Sequence, residues 1–107
     1  MMNRNEYIEY CLTFPSAFED YPFNDENWAI MKAGNKKMFA AIYDRNNFLQ
    51  LNLKCEPMQA DFLRSIYKSI TPAYHMNKTH WNTVTIDGSV PDKEILEMIN
   101  GSFQLIK

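Results

Sequence analysis

The sequence is poor in glycine. Its 107 residues include three, Gly34, Gly88 and Gly101, and no two of them lie near each other. Phosphate-binding loops, dinucleotide fingerprints and the nucleophile elbow all need clustered glycines, because their backbones approach a ligand or a neighbouring element closely. Nucleotide hydrolysis and dinucleotide redox chemistry are therefore not expected.

Cysteines and long apolar runs are also scarce. Cys11 and Cys55 are too few for a disulfide scaffold and lack metal-ligand spacing, so we predict that both are reduced, buried, small hydrophobic residues. Nowhere do eighteen apolar residues follow one another, and the first ten residues, MMNRNEYIEY, are polar where a signal peptide needs an apolar run. We expect a soluble, cytosolic protein with no membrane partner.

Histidine is limited to His75 and His80. Five residues apart on a regular strand, they would point to opposite faces, and a zinc site would need at least a third ligand. The titratable residues that could attempt acid–base catalysis are Glu19, Asp20, His75, Lys78 and His80, and nothing in the sequence places them together. We therefore expect no catalytic residues, no metal site and no cofactor.

Apolar spacing predicts three helices in a single domain covering residues 1–107. The first spans 4–13 behind an Asn3 or Asn5 cap and stops at Pro15. The second begins at Pro57, carries an inward stripe and is closed by Pro72. The third begins at about Pro91. The residues expected to face inward on the second helix are Phe62, Leu63, Ile66, Tyr67 and Ile70.

Four strands are predicted, at 28–33, 37–43, 48–54 and 80–86. Short turns at Gly34-Asn35 and in DRNN join the first three into an antiparallel meander. Along 49–54, leucines alternate with Gln50, Asn52 and Lys54, a pattern typical of one buried and one wet face. The order α-β-β-β-α-β-α predicts an α+β fold: a two-layer sandwich in which helices pack on an antiparallel sheet.

The net charge of −2 hides a segregation of charge along the chain. Residues 1–27 hold six acids and one base, residues 28–84 hold eight bases and three acids, and residues 85–107 hold four acids and two bases. If the segregation survives folding, one basic face could meet a polyanion. The alternative is that acidic helices pack beside basic strands and the charges neutralise one another.

The segment YHMNKTHWNTVTIDG, residues 74–88, is rich in hydrogen-bonding side chains around Trp81. Such residues contact phosphates or amides, and an exposed tryptophan can stack on a base. On a strand, however, Trp81, Thr83 and Thr85 share one face and Asn82 shares the other with Val84, so Trp81 could be core while Asn82 satisfies loop backbone. The segment is therefore either a recognition surface or an internal hydrogen-bond lock.

Four motifs resemble those of the MmcQ/YjbR family of small bacterial proteins. They are FPSAFEDYPF (14–23), NLKCEP (52–57), AYHMNKTHWNTV (73–84) and DGSVPD (87–92). The resemblance implies a compact α+β fold like that of secretion chaperones, a fold also compared with a double-winged DNA-binding domain, and members are often labelled DNA-binding. Ser16, Asn24 and Ala73 stand where the family tends to have glycine.

Two functions follow as hypotheses. The first is a DNA-binding module that uses the basic strands and residues 74–84. The second is a protein-interaction or chaperone-like adaptor whose aromatic loop, residues 14–23, and open sheet edge receive a peptide. We expect a monomer in either case. The candidate binding residues are Glu19, Asp20, Lys54, His75, Asn77, Lys78, His80, Trp81, Asn82 and Thr83.

Overall fold

A computed structural model describes residues 1–107. It contains three helices, α1 (Arg4–Leu12), α2 (Pro57–Ile66) and α3 (Asp92–Ile106), and one antiparallel sheet. The strands are β1 (Phe18–Asp20), β2 (Ala29–Lys32), β3 (Met38–Arg45), β4 (Phe48–Lys54), β5 (Ile70–Pro72) and β6 (Trp81–Thr85). Their spatial order is β1-β2-β3-β4-β6-β5. The predicted α+β architecture is confirmed. None of the helices has both the length and the apolar character needed to cross a bilayer.

Two strands were not predicted. β1 and β5 are three residues each and form the two edges of the sheet, outside the four strands that the periodicity identified. So short a segment cannot show an alternating pattern, and β5 ends on Pro72, which was expected to close a helix. Proline is tolerated there because an edge strand has one side without ladder hydrogen bonds.

The three helices share one face of the sheet and bury the main core against it. Asn3 caps α1 and exchanges hydrogen bonds with Glu6 as a capping box, which satisfies two backbone N–H groups at the start of the helix. The helix buries Tyr7, Ile8 and Cys11. Burial raises the pKa of the Cys11 thiol to about 12, so it packs as a neutral hydrophobic group, as predicted. Cys55 is only half-buried, because it lies just beyond the end of β4.

The inward face predicted for α2 is partly wrong. Phe62 and Ile66 are 57% and 51% exposed, whereas Ala60 and Leu63 are buried. The predicted helix also ran too far, since α2 ends at Ile66 and Ile70 belongs to β5. Periodicity identified an apolar stripe on the helix but could not show that the helix would lie at the margin of the sheet. At that position the sheet covers only part of the stripe.

Left-handed backbone conformations mark several turns. Asn46 and Asn47 (φ 55° and 67°) form the two-residue turn between β3 and β4, within the predicted DRNN segment. Ser16 and Asn24 also have positive φ values, 59° and 53°. These are two of the positions at which glycine was expected, so the turns keep a glycine-like conformation in spite of the side chain.

Gly34 lies directly against Ser16. A Cβ atom added to Gly34 would stand 2.9 Å from the Cβ of Ser16. We expect Gly34→Ala to lower the free energy of unfolding by about 1–3 kcal/mol through overpacking. The same change in a Ser16→Gly background should cost much less, because the opposing Cβ is gone. Urea denaturation of the two single variants and the double variant measures this coupling, and strictly additive free energies would contradict the contact.

Candidate functional site

The face of the sheet opposite the helices is not bare. Gln50 and Asn52, predicted to face water, are 5% and 0% exposed. Asn52 donates to the carbonyl of Tyr74 in residues 73–80, a segment between β5 and β6 that we name the cover loop, and Gln50 donates to the carbonyl of Arg45. The alternation along β4 is real, but its polar side meets this loop rather than solvent. That part of the prediction is wrong, because a loop crossing the sheet leaves no mark on the periodicity of the strand.

Asn52 fastens the cover loop to the sheet. Its Oδ1 accepts hydrogen bonds from Tyr43 Oη at 2.7 Å and Thr83 Oγ1 at 2.6 Å, and its Nδ2 donates to the carbonyl of Tyr74 at 2.9 Å. The backbone N–H of Tyr74 in turn donates to Thr83 Oγ1 at 2.9 Å. Both backbone groups of Tyr74 are thus satisfied by buried side chains. We name these four residues the Asn52 lock.

Asn82 fastens the far end of the loop on the helix side of the sheet. Its Oδ1 accepts from Arg64 Nε at 2.6 Å, and its Nδ2 lies 3.4 Å from the carbonyl of Ala60. The same guanidinium also donates to the carbonyl of Lys78 and pairs with Asp61. Asn82 is therefore an internal lock, and it connects α2 to the loop.

The remaining residues of the 74–84 motif divide between loop and interior. Four residues of the cover loop are exposed: His75, Asn77, Lys78 and His80. Trp81, by contrast, is buried, with 9% of its surface accessible. Asn77 Oδ1 accepts from the backbone N–H groups of Thr79 and His80, which makes a tight turn. Lys78 Nζ donates to the carbonyl of Ala73 at 2.7 Å, and this hydrogen bond joins residues 73 and 78 of the loop.

Three other candidate residues lie elsewhere on the sheet. Lys54, half-buried, stands opposite Trp81 at the end of β4. Glu19 and Asp20 lie on β1, at the far edge, with β2, β3 and β4 between them and β6. Glu19 accepts from the hydroxyl of Tyr21, and the ion pair with Lys32, 2.7 Å long, lowers the pKa of Asp20. These carboxylates do not join the cover-loop residues.

Aromatic rings gather beneath and beside the cover loop. Trp28 stacks on Tyr43 with ring centroids 3.9 Å apart and lies 6.2 Å from Tyr74, nearly parallel to it. The guanidinium carbon of Arg45 stands 3.8 Å from the centre of the Tyr74 ring, and the His75 ring is 4.0 Å from it. Tyr74 therefore holds a cation on its ring, as in a cation–π contact.

Two depressions flank Tyr74, and both include it. One, which we name the polar groove, has a volume of about 500 Å³ and contains Arg45, Lys78 and several threonines, with no carboxylate among its lining residues. The other, the aromatic pocket, has a volume of about 620 Å³ and is lined mainly by apolar side chains, with one acid, Asp25. Neither Arg45 nor Lys78 forms an ion pair with the protein.

Sequence reasoning missed Arg45, Trp28 and Tyr74 as members of this site. Arg45 was counted among the eight bases of residues 28–84 and placed in a turn, and Tyr74 was placed at the start of the motif. Their association depends on the crossing of the cover loop over the β3–β4 hairpin, which no local pattern encodes. The structure holds no group of three or more His, Cys, Asp or Glu side chains arranged to hold a metal ion.

The sequence matches the family model described as YjbR over residues 12–105. It is 34% identical to the uncharacterized protein YjbR of Escherichia coli K12 over 103 residues, which cover 96% of this chain and 86% of that one. It is 30% identical to the uncharacterized protein YyaQ of Bacillus subtilis 168, with full coverage of both chains.

Solved structures share the fold. The crystal structure of the Deinococcus radiodurans protein DR2400, a DUF419 domain, superposes with a TM-score of 0.91 at 34% identity and covers 99% of this chain and 79% of that one. A crystal structure of a Pseudomonas syringae protein gives a TM-score of 0.87 at 31% identity, covering 99% of this chain and all of the other.

The different surroundings of Asn82 and His80 predict different effects of truncation. Asn82→Ala should lower the free energy of unfolding by about 1–3 kcal/mol, because it leaves a buried hydrogen bond of Arg64 unmade. His80→Ala, on the exposed side of the loop, should change it by less than about 0.5 kcal/mol. Urea melts of both variants measure the difference. Equal, small effects would show that Asn82 does not act as a lock.

Proposed function

This chain belongs to the YjbR family, and we propose that it binds nucleic acid through the helix-free face of its sheet. The observation that carries the proposal is the polar groove, in which two cations lie among hydroxyl and amide groups with no carboxylate to neutralise them. Phosphate oxygens are bound by this combination of arginine, lysine and threonine donors. Arg45 and Lys78 are the residues we expect to make these contacts.

The local charge supports the proposal more than the overall charge does. Several of the other charged side chains are engaged within the protein: Lys32 pairs with Asp20, Arg64 with Asp61, and Arg4 with Asp44. Of these three pairs, only Lys32–Asp20 joins a base of the basic segment to an acid of the first segment, so folding cancels a small part of the segregation seen along the sequence. What remains at the groove are two cations fixed in place, Arg45 by the Tyr74 ring and Lys78 by the carbonyl of Ala73.

The groove is preorganised for an anion. Lys78 Nζ and the carbonyl of Ala73 are 2.7 Å apart, and Tyr74 is held by the Asn52 lock, so neither cation needs a new loop conformation before it can bind. Two protein–phosphate contacts make a weak site. The logarithm of its affinity should therefore fall with the logarithm of salt with a modest slope, about 1.4–1.8 in magnitude.

A protein partner is the second candidate, and a different surface favours it. Met58, Phe62 and Ile66 follow one another at i, i+4, i+8 on the outer side of α2, and all three are exposed. The open sheet edges proposed for a peptide are less suitable, because β1, within the aromatic loop, and β5 are three residues long each, and β5 contains Pro72, which has no N–H to donate. The α2 stripe lies on the helix layer, so the two candidates can be separated by mutation.

Nucleic-acid binding can be measured by fluorescence anisotropy with labelled DNA across a salt series. We expect the logarithm of affinity to fall linearly with the logarithm of salt, and Arg45→Gln to weaken binding and reduce the slope by about 0.7–0.9, the share of one phosphate contact. Lys37→Gln is the matched control, since Lys37 is exposed, forms no ion pair and lies beyond the opposite end of β3.

Phe62→Ser, on the α2 stripe, should leave this binding unchanged. No binding at about 50 mM salt, where screening is weak, would refute the proposed function. So would an equal loss of affinity in Arg45→Gln and Lys37→Gln, because binding would then follow total charge rather than the groove.

A further inference from the structure

The aromatic pocket lies on the same face as the polar groove and shares the Tyr74 wall with it. The sheet contributes Ile30, Met38 and Ala41 to its lining, and the surrounding loops contribute the rest: Phe23, Asp25, Trp28, Tyr74, His75 and Met76. Its volume of about 620 Å³ falls within the range of about 300–1,000 Å³ usual for small-ligand sites. A flat, largely apolar group therefore has room to enter beside the groove.

The two depressions differ in charge in a way that restricts the occupant. The polar groove has cations and no acid, whereas the aromatic pocket has one acid, Asp25, and apolar walls. A phosphate would be repelled by Asp25 and attracted by Arg45 and Lys78. A neutral ring that carries amino donors suits the aromatic pocket, because its apolar faces can pack on the walls and its donors can reach the Asp25 carboxylate.

A nucleotide has this pattern: a neutral aromatic base a short distance from an anionic phosphate. We propose that the aromatic pocket takes an unpaired base while the polar groove holds an adjacent phosphate, so that the protein prefers single-stranded over duplex nucleic acid. This inference rests on the proposed function. Bases within a duplex are stacked and paired, and one must be unstacked before it can enter a concave pocket.

The walls of the pocket are suited to stacking. Phe23 is 64% exposed and stands edge-on to Trp28, with ring centroids 6.3 Å apart and planes at 89°. Trp28 is supported from behind by its stack on Tyr43. On the cover-loop side, His75 adopts a left-handed conformation (φ 61°), which is uncommon for a residue with a side chain, next to the Tyr74 ring. Phe23 is thus an accessible ring that can stack on a base without unfolding.

The test compares three labelled oligomers of equal length by anisotropy at one low salt concentration: a single-stranded DNA of mixed sequence, its blunt duplex, and an abasic single strand. We expect the single strand to bind at least about tenfold more tightly than either of the others, because stacking contributes strongly for each base. Phe23→Ala should reduce binding of the single strand towards that of the abasic strand, and a salt series on this variant should give the same slope as the wild type.

Phe62→Ala is the matched control, because Phe62 is also an exposed phenylalanine but lies on α2, and this variant should bind like the wild type. Equal binding of all three oligomers, with the effect of Arg45→Gln retained, would overturn the base pocket and leave the proposed function standing. Absence of binding to every oligomer would overturn both. Displacement of the oligomer by an equal concentration of a nucleoside 5′-monophosphate would show that the ligand is a free nucleotide and not a strand.

Discussion

The arrangement of the helix-free face depends on one buried amide. Asn52 has no exposed surface, and both ends of its side chain are engaged, the oxygen by Tyr43 and Thr83 and the nitrogen by the carbonyl of Tyr74. A buried amide left without partners costs about 1–3 kcal/mol, so Asn52 Nδ2 requires an acceptor at this place, and the cover loop supplies it with the carbonyl of Tyr74. The position of Tyr74, and with it the wall between the groove and the pocket, follows from that requirement.

The two faces of the sheet are specialised for different tasks. The helix side holds the hydrophobic core, in which a group such as the Cys11 thiol is neutral and only packs. The opposite side is covered by loops, and there aromatic rings and cations approach each other: Trp28 on Tyr43, and Arg45 on Tyr74. A rigid sheet that positions loop residues is a common way to build a binding surface, because the strands supply the precision and the loops the chemistry.

The architecture could be predicted from the sequence because its main signals are local. Alternating leucines identified β4, a capped apolar stripe identified α1, and the asparagines of DRNN identified a turn. The alternation along β6 predicted that Thr83 and Asn82 point to opposite faces of the sheet. The structure has this arrangement: Thr83 bonds the cover loop on the helix-free face, and Asn82 bonds Arg64 of α2 on the helix side. Each of these inferences needs only the periodicity of a single element.

The site could not be predicted to the same extent, because its contacts join residues far apart in the chain. Nothing local shows that Arg45 will stand over Tyr74, or that Gln50 and Asn52 will be covered. The motif is rich in polar side chains, but these have two roles: Asn82 and Thr83 lock the interior, whereas His75 and Lys78 are on the exposed side of the loop. Composition cannot separate these roles, since both use the same kinds of side chain.

Amide hydrogen exchange at Tyr74, whose N–H donates to the hydroxyl of Thr83, measures whether the Asn52 lock holds the cover loop on the sheet. In the wild type this amide should exchange as slowly as those of the central strands, although the next residue, His75, is exposed. In Thr83→Val, which removes the acceptor while keeping the shape of the side chain, the Tyr74 amide should exchange at the rate of open loop amides while β4 stays protected. Rapid exchange at Tyr74 in the wild type, or no change in Thr83→Val, would contradict the claim that the Asn52 lock holds the cover loop on the sheet.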